Sequence, residues 1–114
     1  MPYLKIQSNV EIPEENRESI ARQLSATVAQ ALGKAERYVM VALEPAATMC
    51  FAGDAAPCAY LELKSIGLPG DRTAQLSRTL CEAVGAALDV PAERIYIEFA
   101  DAPRHLWGWN GATF

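Results

Sequence analysis

Histidine occurs once in this chain, at position 105, and cysteine only three times, at 50, 58 and 81. A lone imidazole without a partner in ligand spacing argues against a zinc centre. An odd number of thiols cannot all pair within one chain, and Cys50 and Cys58 are too widely spaced for a C-x-x-C redox motif; Leu61 stands three residues after Cys58, where a second thiol would be. Basic residues are the minority, ten against 14 acidic ones for a net charge of −4, and they form no stripe, which argues against a nucleic-acid partner. No apolar run approaches the roughly 20 residues of a membrane span. The N-terminus lacks the basic region and long apolar run of a secretory signal, so the expected location is the cytoplasm, although non-classical export would leave no such signal to read.

What is present is a chain of 114 residues, about half of them apolar (51%), sufficient for one domain spanning 1–114. Its most informative feature is an internal repeat. Tyr3-Leu4-Lys5-Ile6-Gln7-Ser8 resembles Tyr60-Leu61-Glu62-Leu63-Lys64-Ser65, and Ala35-Glu36-Arg37 returns as Ala92-Glu93-Arg94 at the same offset. Between them, Ile20, Leu24, Val28 and Leu32 answer to Leu76, Leu80, Val84 and Leu88, displaced by one. Two copies of one unit, at about 2–46 and 59–103, follow from three ordered matches.

Each copy reads strand, helix, strand. Leu4 and Ile6 alternate with Lys5 and Gln7, the pattern of a half-buried strand from Tyr3 to Ser8. Pro13 suits a first helical position, and Glu14 and Glu15 complement the positive end of a helix running to about Leu32, where Gly33 stops it. Tyr38 to Leu43 is expected to form the second strand. Residues 44–58 read as an irregular connection with a short edge strand around Cys50. In the second copy Tyr60 to Ser65 opens, Asp71 is the expected N-cap, the helix ends near Leu88, and Ile95 to Phe99 closes; a short strand is expected over Leu106 to Trp109. The predicted fold class is therefore α+β: two β-α-β units forming a four-stranded mixed sheet, both helices on one face, with short edge strands. The other face would carry Lys5, Gln7, Glu62, Lys64, Tyr96 and Glu98. Exposed edges and C-terminal aromatics call for cover, which a closed ring of subunits around a wet channel would provide.

Pro2 is the main chemical candidate. It is a good strand opener, and it is also a small second residue of the kind that permits removal of Met1. Removal would bare a secondary amine at the mouth of an apolar strand. In dry surroundings the charged form is disfavoured, and a neutral terminal proline would be a general base.

Pro2, the Gly33-Lys34 junction, Pro57-Cys58-Ala59, Ser65-Ile66-Gly67, Tyr96-Ile97-Glu98 and the tail Trp109-Asn110-Gly111-Ala112-Thr113-Phe114 occur in that order. Over essentially the whole chain this set resembles the macrophage migration inhibitory factor and D-dopachrome tautomerase family, within the tautomerase superfamily. The resemblance implies a homotrimer with active sites at subunit interfaces and a cofactor-independent keto–enol tautomerase acting on phenylpyruvate-like α-keto acids, with dopachrome-type compounds as further substrates. Pro2 would be the catalytic base. Lys34 would contact substrate by charge and Ile66 by its backbone; Tyr96 and Glu98 would come from the neighbouring subunit. Tyr3, Tyr38, Ser65, Trp107, Trp109 and Phe114 would shape the pocket wall.

The chain departs from that pattern at several positions. Glu98 stands where the family usually has asparagine, Trp107 where a smaller aliphatic residue is usual, and Lys64 where the animal cytokine has histidine. Glu98 could repel an anionic substrate, raise the proton affinity of Pro2 or pair with Lys34, which implies weaker or differently selective activity. Leu61 in place of a second cysteine weighs against thiol oxidoreductase chemistry. Two other readings stay open: a hydratase or dehalogenase of small unsaturated acids, with Arg72, Arg104 and Glu98 as candidates, and a cytokine-like protein that keeps the fold and binds a receptor.

Overall fold

A computed structural model describes residues 1–114. The period-two pattern at the N-terminus forms strand β1 (Tyr3–Ser8), in which Leu4, Ile6 and Ser8 are fully buried. Helix α1 (Glu14–Leu32) follows. Pro13 lies just outside it, extended at ψ 135°, because the first helical bond closes on its carbonyl, from the Asn16 N–H at 2.9 Å. Gly33 ends the helix in the left-handed region (φ 64°), and the N–H groups of Gly33 and Lys34 return to the carbonyls of Gln30 and Ala29 at 3.3 and 3.0 Å. This paired closure is why a glycine is needed there, and it sets Lys34 at the outgoing corner.

Tyr38 is not in a strand. The N–H groups of Tyr38 and Val39 bond back to Ala35 and Glu36 (3.1 and 3.0 Å), which makes a single 3-10 turn over Glu36–Tyr38 and delays β2 to Met40–Glu44. No strand forms around Cys50 either. Phe51 and Asp54 exchange backbone bonds of 2.9 and 3.0 Å across a tight turn in which Ala52 and Gly53 both have positive φ. Strand β3 (Ala59–Ile66) leads to a 3-10 turn at Gly70–Arg72, so α2 begins only at Thr73 and runs to Leu88. Asp71 consequently does not cap α2: the Arg72 N–H has already turned back to Pro69 (3.0 Å), and no side chain caps the helix. Strand β4 (Ile95–Ala102) closes the second unit. In the tail, Leu106 lies in a 3-10 turn; the strand is shorter than expected, β5 (Gly108–Trp109), and folds back on β6 (Ala112–Thr113). Asn110 and Gly111, both with positive φ, make the hairpin turn between them.

The main sheet has the order β2-β1-β3-β4, with β1–β2 and β3–β4 parallel and the central β1–β3 pair antiparallel. Two right-twisted β-α-β units thus meet along their first strands. Leu24, Val28 and Leu32 of α1 and Leu76, Leu80, Val84 and Leu88 of α2 pack with Leu4, Ile6, Leu61 and Leu63 in one core. Each such buried aliphatic side chain contributes about 1.5–3 kcal/mol relative to exposure. The opposite face is polar and internally paired: Lys5 with Glu44 (3.7 Å), Gln7 donating to Glu44 (3.2 Å), and the Tyr60 hydroxyl donating to Glu98. No helix is long and apolar enough to cross a membrane.

Candidate active site

Pro2 is buried at the entrance to β1, and its carbonyl accepts the Met40 N–H at 3.0 Å. Tyr3 pairs with Met40 on one side and with Lys64 on the other. The start of β1 is therefore held between the start of β2 and the C-terminal half of β3. A cavity of about 470 Å³ opens at this end of the sheet, lined by Met1, Pro2, Tyr3, Tyr38, Trp107, Trp109 and Phe114 together with Arg37 and Lys64.

The aromatic wall is one unit. Trp109 stacks on Phe114 (centroids 5.3 Å apart, 14° between planes), and Tyr38 meets both edge-on at 5.8 and 5.9 Å. The hairpin brings these rings together, since Asn110-Gly111 reverses the chain and the Phe114 N–H bonds to the Trp107 carbonyl at 3.2 Å.

The terminal amine, carried here by Met1, has its proton affinity lowered below that of an ordinary amino terminus, first by burial and then by the charge of Lys34. Lys34 reaches this region from the α1 corner. Its Nζ lies 3.9 Å from where a Cβ on Gly67 would sit, so the left-handed Gly67 (φ 68°) leaves room beside the ammonium and next to Ile66. Lys34 forms no ion pair with any carboxylate.

Six of the expected site residues gather on the cavity, Pro2, Tyr3, Tyr38, Trp107, Trp109 and Phe114; Lys34 does not line it, although its charge reaches the terminal amine. Ile66 is buried next to Gly67, and its carbonyl accepts the Ser65 hydroxyl at 3.1 Å. Ser65 itself is fully buried and does not line the cavity. Tyr96 and Glu98 lie on β4, separated from β1 by β3, and within one chain they do not line the cavity. Tyr96 is 65% exposed, and its ring leans on that of Phe51 with centroids 4.7 Å apart. Glu98 accepts from Tyr60, and that bond, followed by burial and the charges of Glu98 and Glu62, pushes the Tyr60 phenol up to about 12. Tyr60 and Tyr96 border a second cavity of about 340 Å³, walled also by Met49, Cys50, Phe51, Ala52, Cys58 and Ala59. Arg72 and Arg104 line neither cavity.

Apart from Met1, five cavity residues were not among the expected site residues: Arg37, Val39, Met40, Lys64 and Gly108. Arg37 was visible only as part of the repeated Ala-Glu-Arg triplet, a signal of structure rather than of a site. Chemically, the arrangement is a terminal amine of depressed basicity, an unpaired ammonium whose charge reaches it, and an aromatic wall. It suits proton transfer on an anionic substrate with a flat apolar group.

The family model described as macrophage migration inhibitory factor (MIF) matches residues 1–114. Among curated relatives, a macrophage migration inhibitory factor homolog of Brugia malayi is 37% identical, over 100% of this chain and 99% of its own length. The macrophage migration inhibitory factor of Meriones unguiculatus is 35% identical over the same shares. Among solved structures, a macrophage migration inhibitory factor homologue from Prochlorococcus marinus superposes with a TM-score of 0.92 at 43% identity, covering 98% of each chain. The macrophage migration inhibitory factor of Trichinella spiralis superposes at 0.90 with 28% identity, covering 98% of this chain and 99% of its own.

Proposed function

The chain belongs to the macrophage migration inhibitory factor family, whose members include tautomerase-fold proteins, and on that footing we propose that it is a cofactor-independent keto–enol tautomerase of phenylpyruvate-like α-keto acids. The base is the nitrogen of Pro2, freed by removal of Met1. The single observation carrying this reading is Pro2 itself, buried at the head of β1 and lining an aromatic-walled cavity, at a position where even the amine of Met1 has its basicity lowered by burial and by the charge of Lys34. While Met1 is present, Pro2 N is an amide and cannot take a proton; loss of Met1 moves the amine one residue deeper, to a buried position.

The substrate carboxylate pairs with Lys34, and the carbon beside its carbonyl faces the proline nitrogen. Proline N removes a proton from that carbon, charge develops on the carbonyl oxygen, and Lys34 stabilises it. The same nitrogen returns the proton, to oxygen in one direction and to carbon in the other, so no redox partner is required. Tyr3, Tyr38, Trp107, Trp109 and Phe114 hold the apolar end of the substrate.

The working unit of this reading is a homotrimer in which Tyr96 and Glu98 reach the neighbouring subunit's cavity. In support, Tyr96 and Met40 are 65% and 66% exposed, large apolar surfaces that a lone protomer leaves in water. Glu98 enters already hydrogen-bonded to Tyr60, which tempers its repulsion of an anionic substrate.

The experiment is Pro2→Gly in protein whose intact mass proves loss of Met1. Enolisation of phenylpyruvate falls by about 10²–10⁴-fold, the usual worth of a positioned acid–base group, while the trimer persists. Turnover that survives this change, or that persists when Met1 is retained, refutes the assignment. Receptor binding unaffected by Pro2→Gly would mark a cytokine-like role carried by a different surface.

A further inference from the structure

The two arginines that the repeat places in equivalent positions have different environments. Arg94 donates to the carbonyls of Phe51, Asp54, Ala56 and Pro57 at 2.9–3.3 Å, and its guanidinium lies over the Phe51 ring at 5.2 Å. It is a structural clamp with its donors occupied. Arg37 donates no hydrogen bond to the protein and makes no ion pair; its guanidinium carbon lies over the Tyr38 ring, 4.8 Å from the centroid. Yet Arg37 borders the cavity at Pro2. Lys64, across β1 from Met40, borders it too and has only a loose contact with Glu62, at 4.0 Å.

No aspartate or glutamate of the same chain lines this cavity, although the chain as a whole carries a net charge of −4. A phenylpyruvate-like acid has one carboxylate, and one cation, the role proposed above for Lys34, suffices for it. Arg37 and Lys64 are then surplus cations, one a planar fork with free donors already stacked on an aromatic ring. That is a carboxylate-binding arrangement, because a guanidinium matches a carboxylate with two parallel bonds. Even with Glu98 contributed by a neighbouring subunit, two lining cations face one carboxylate that is itself engaged by Tyr60.

We propose that the preferred substrate of this site is a dianion: an α-keto acid whose aryl or unsaturated arm ends in a second carboxylate, received by Arg37 with help from Lys64. This deepens the tautomerase reading and rests on it. Proton transfer at Pro2 is unchanged; the second carboxylate fixes the far end of the substrate against the Tyr38 face of the cavity.

The test compares phenylpyruvate with 4-carboxyphenylpyruvate in Met1-free protein, following exchange of the protons beside the carbonyl by NMR. Calorimetry of the unreactive pair phenylacetate and 4-carboxyphenylacetate supplies a readout independent of turnover. A charge-assisted hydrogen bond predicts a preference for the dianion of about tenfold or more in kcat/KM and in Kd. Arg37→Gln brings both ratios to about twofold or less, while Arg72→Gln, remote from the cavity, leaves them as they were. A wild-type binding ratio near one, or a ratio that survives Arg37→Gln, overturns the proposal. Absence of turnover on both keto acids together with an Arg37-dependent binding ratio would sink the tautomerase reading and leave the dianion site standing.

Discussion

Trp109→Ala should separate the aromatic wall from the core. Trp109 makes two ring contacts, stacked on Phe114 at 5.3 Å and edge-on to Tyr38 at 5.8 Å. Aromatic pairs are worth about 0.5–1.5 kcal/mol each beyond their area, so the substitution removes about 1–3 kcal/mol from the tail. Little else holds it: the β5–β6 ladder pairs only Gly108 with Thr113 and Trp109 with Ala112, and the Phe114 N–H adds one bond to Trp107. A two-residue hairpin is marginal without packing. None of these residues belongs to the core formed by the two helices and the sheet. The expected outcome is therefore local. Amide exchange at Phe114 accelerates by about 5- to 150-fold, the factor matching that energy, while the thermal midpoint moves by less than about 4 °C. KM for phenylpyruvate rises as the cavity loses one wall. Unchanged exchange at Phe114, or a fall in midpoint of the size a core truncation produces, would refute the claim that the rings alone secure the tail.

Arg94→Lys should loosen the 51–57 connection, because an ammonium cannot span the four carbonyls that the guanidinium bonds; a loss of about 1–3 kcal/mol by denaturant midpoint, with faster proteolysis in that segment, is expected. Gly85→Ala would normally strengthen a helix, but a Cβ there meets the Val90 carbonyl at 3.0 Å, so a net destabilisation of about 1–2 kcal/mol replaces the usual gain. Tyr60 titrates at about 12 against an ordinary 10.0, which means the folded chain holds this proton more tightly than the unfolded one. The contribution of the Tyr60–Glu98 bond is thus complete below pH 10 and disappears as pH rises through about 12; Tyr60→Phe should flatten the stability profile in that window, and an unaltered slope would show the bond is not formed.

The repeat was the most readable part of the chain. It placed both helices and all four sheet strands, because buried positions at fixed period leave a trace that survives divergence: Leu4 and Ile6 against Leu61 and Leu63, and the leucine stripes of α1 and α2. The errors lie where hydrogen bonding by a few backbone groups overrides side-chain pattern. Tyr38 has the residue type of a strand, yet its N–H turns back to Ala35. Asp71 has the side chain of a cap, yet the chain has already turned at Pro69. Ser65 belongs to a motif associated with the pocket, but strand alternation points it into the core with Leu61 and Leu63. Arg37 escaped notice for a different reason. Its twin at Arg94 made it look like scaffold, and only the positions of nearby carbonyls distinguish a guanidinium with four partners from one with none.

That divergence between twins also bears on why the proposed chemistry lies at one end of the repeat. The offset that carries Tyr3 to Tyr60 carries Pro2 to Ala59, Lys34 to Pro91 and Arg37 to Arg94. Both units open a cavity near the start of their first strand, one containing Pro2 and the other containing Ala59. In the second unit that strand is entered from the 44–58 connection, so its nitrogen is an amide; no ammonium follows the helix, and the arginine is consumed by its own loop. Every residue lining that cavity is apolar or aromatic. A chain has only one amino terminus, so a repeated β-α-β unit cannot repeat the base proposed at Pro2. In the proposed trimer the second unit instead supplies surface to another subunit, and Tyr96 and Glu98 are the side chains it would bring to a neighbour's site. On the proposed reading, catalysis at one end and assembly at the other follow from the same covalent asymmetry.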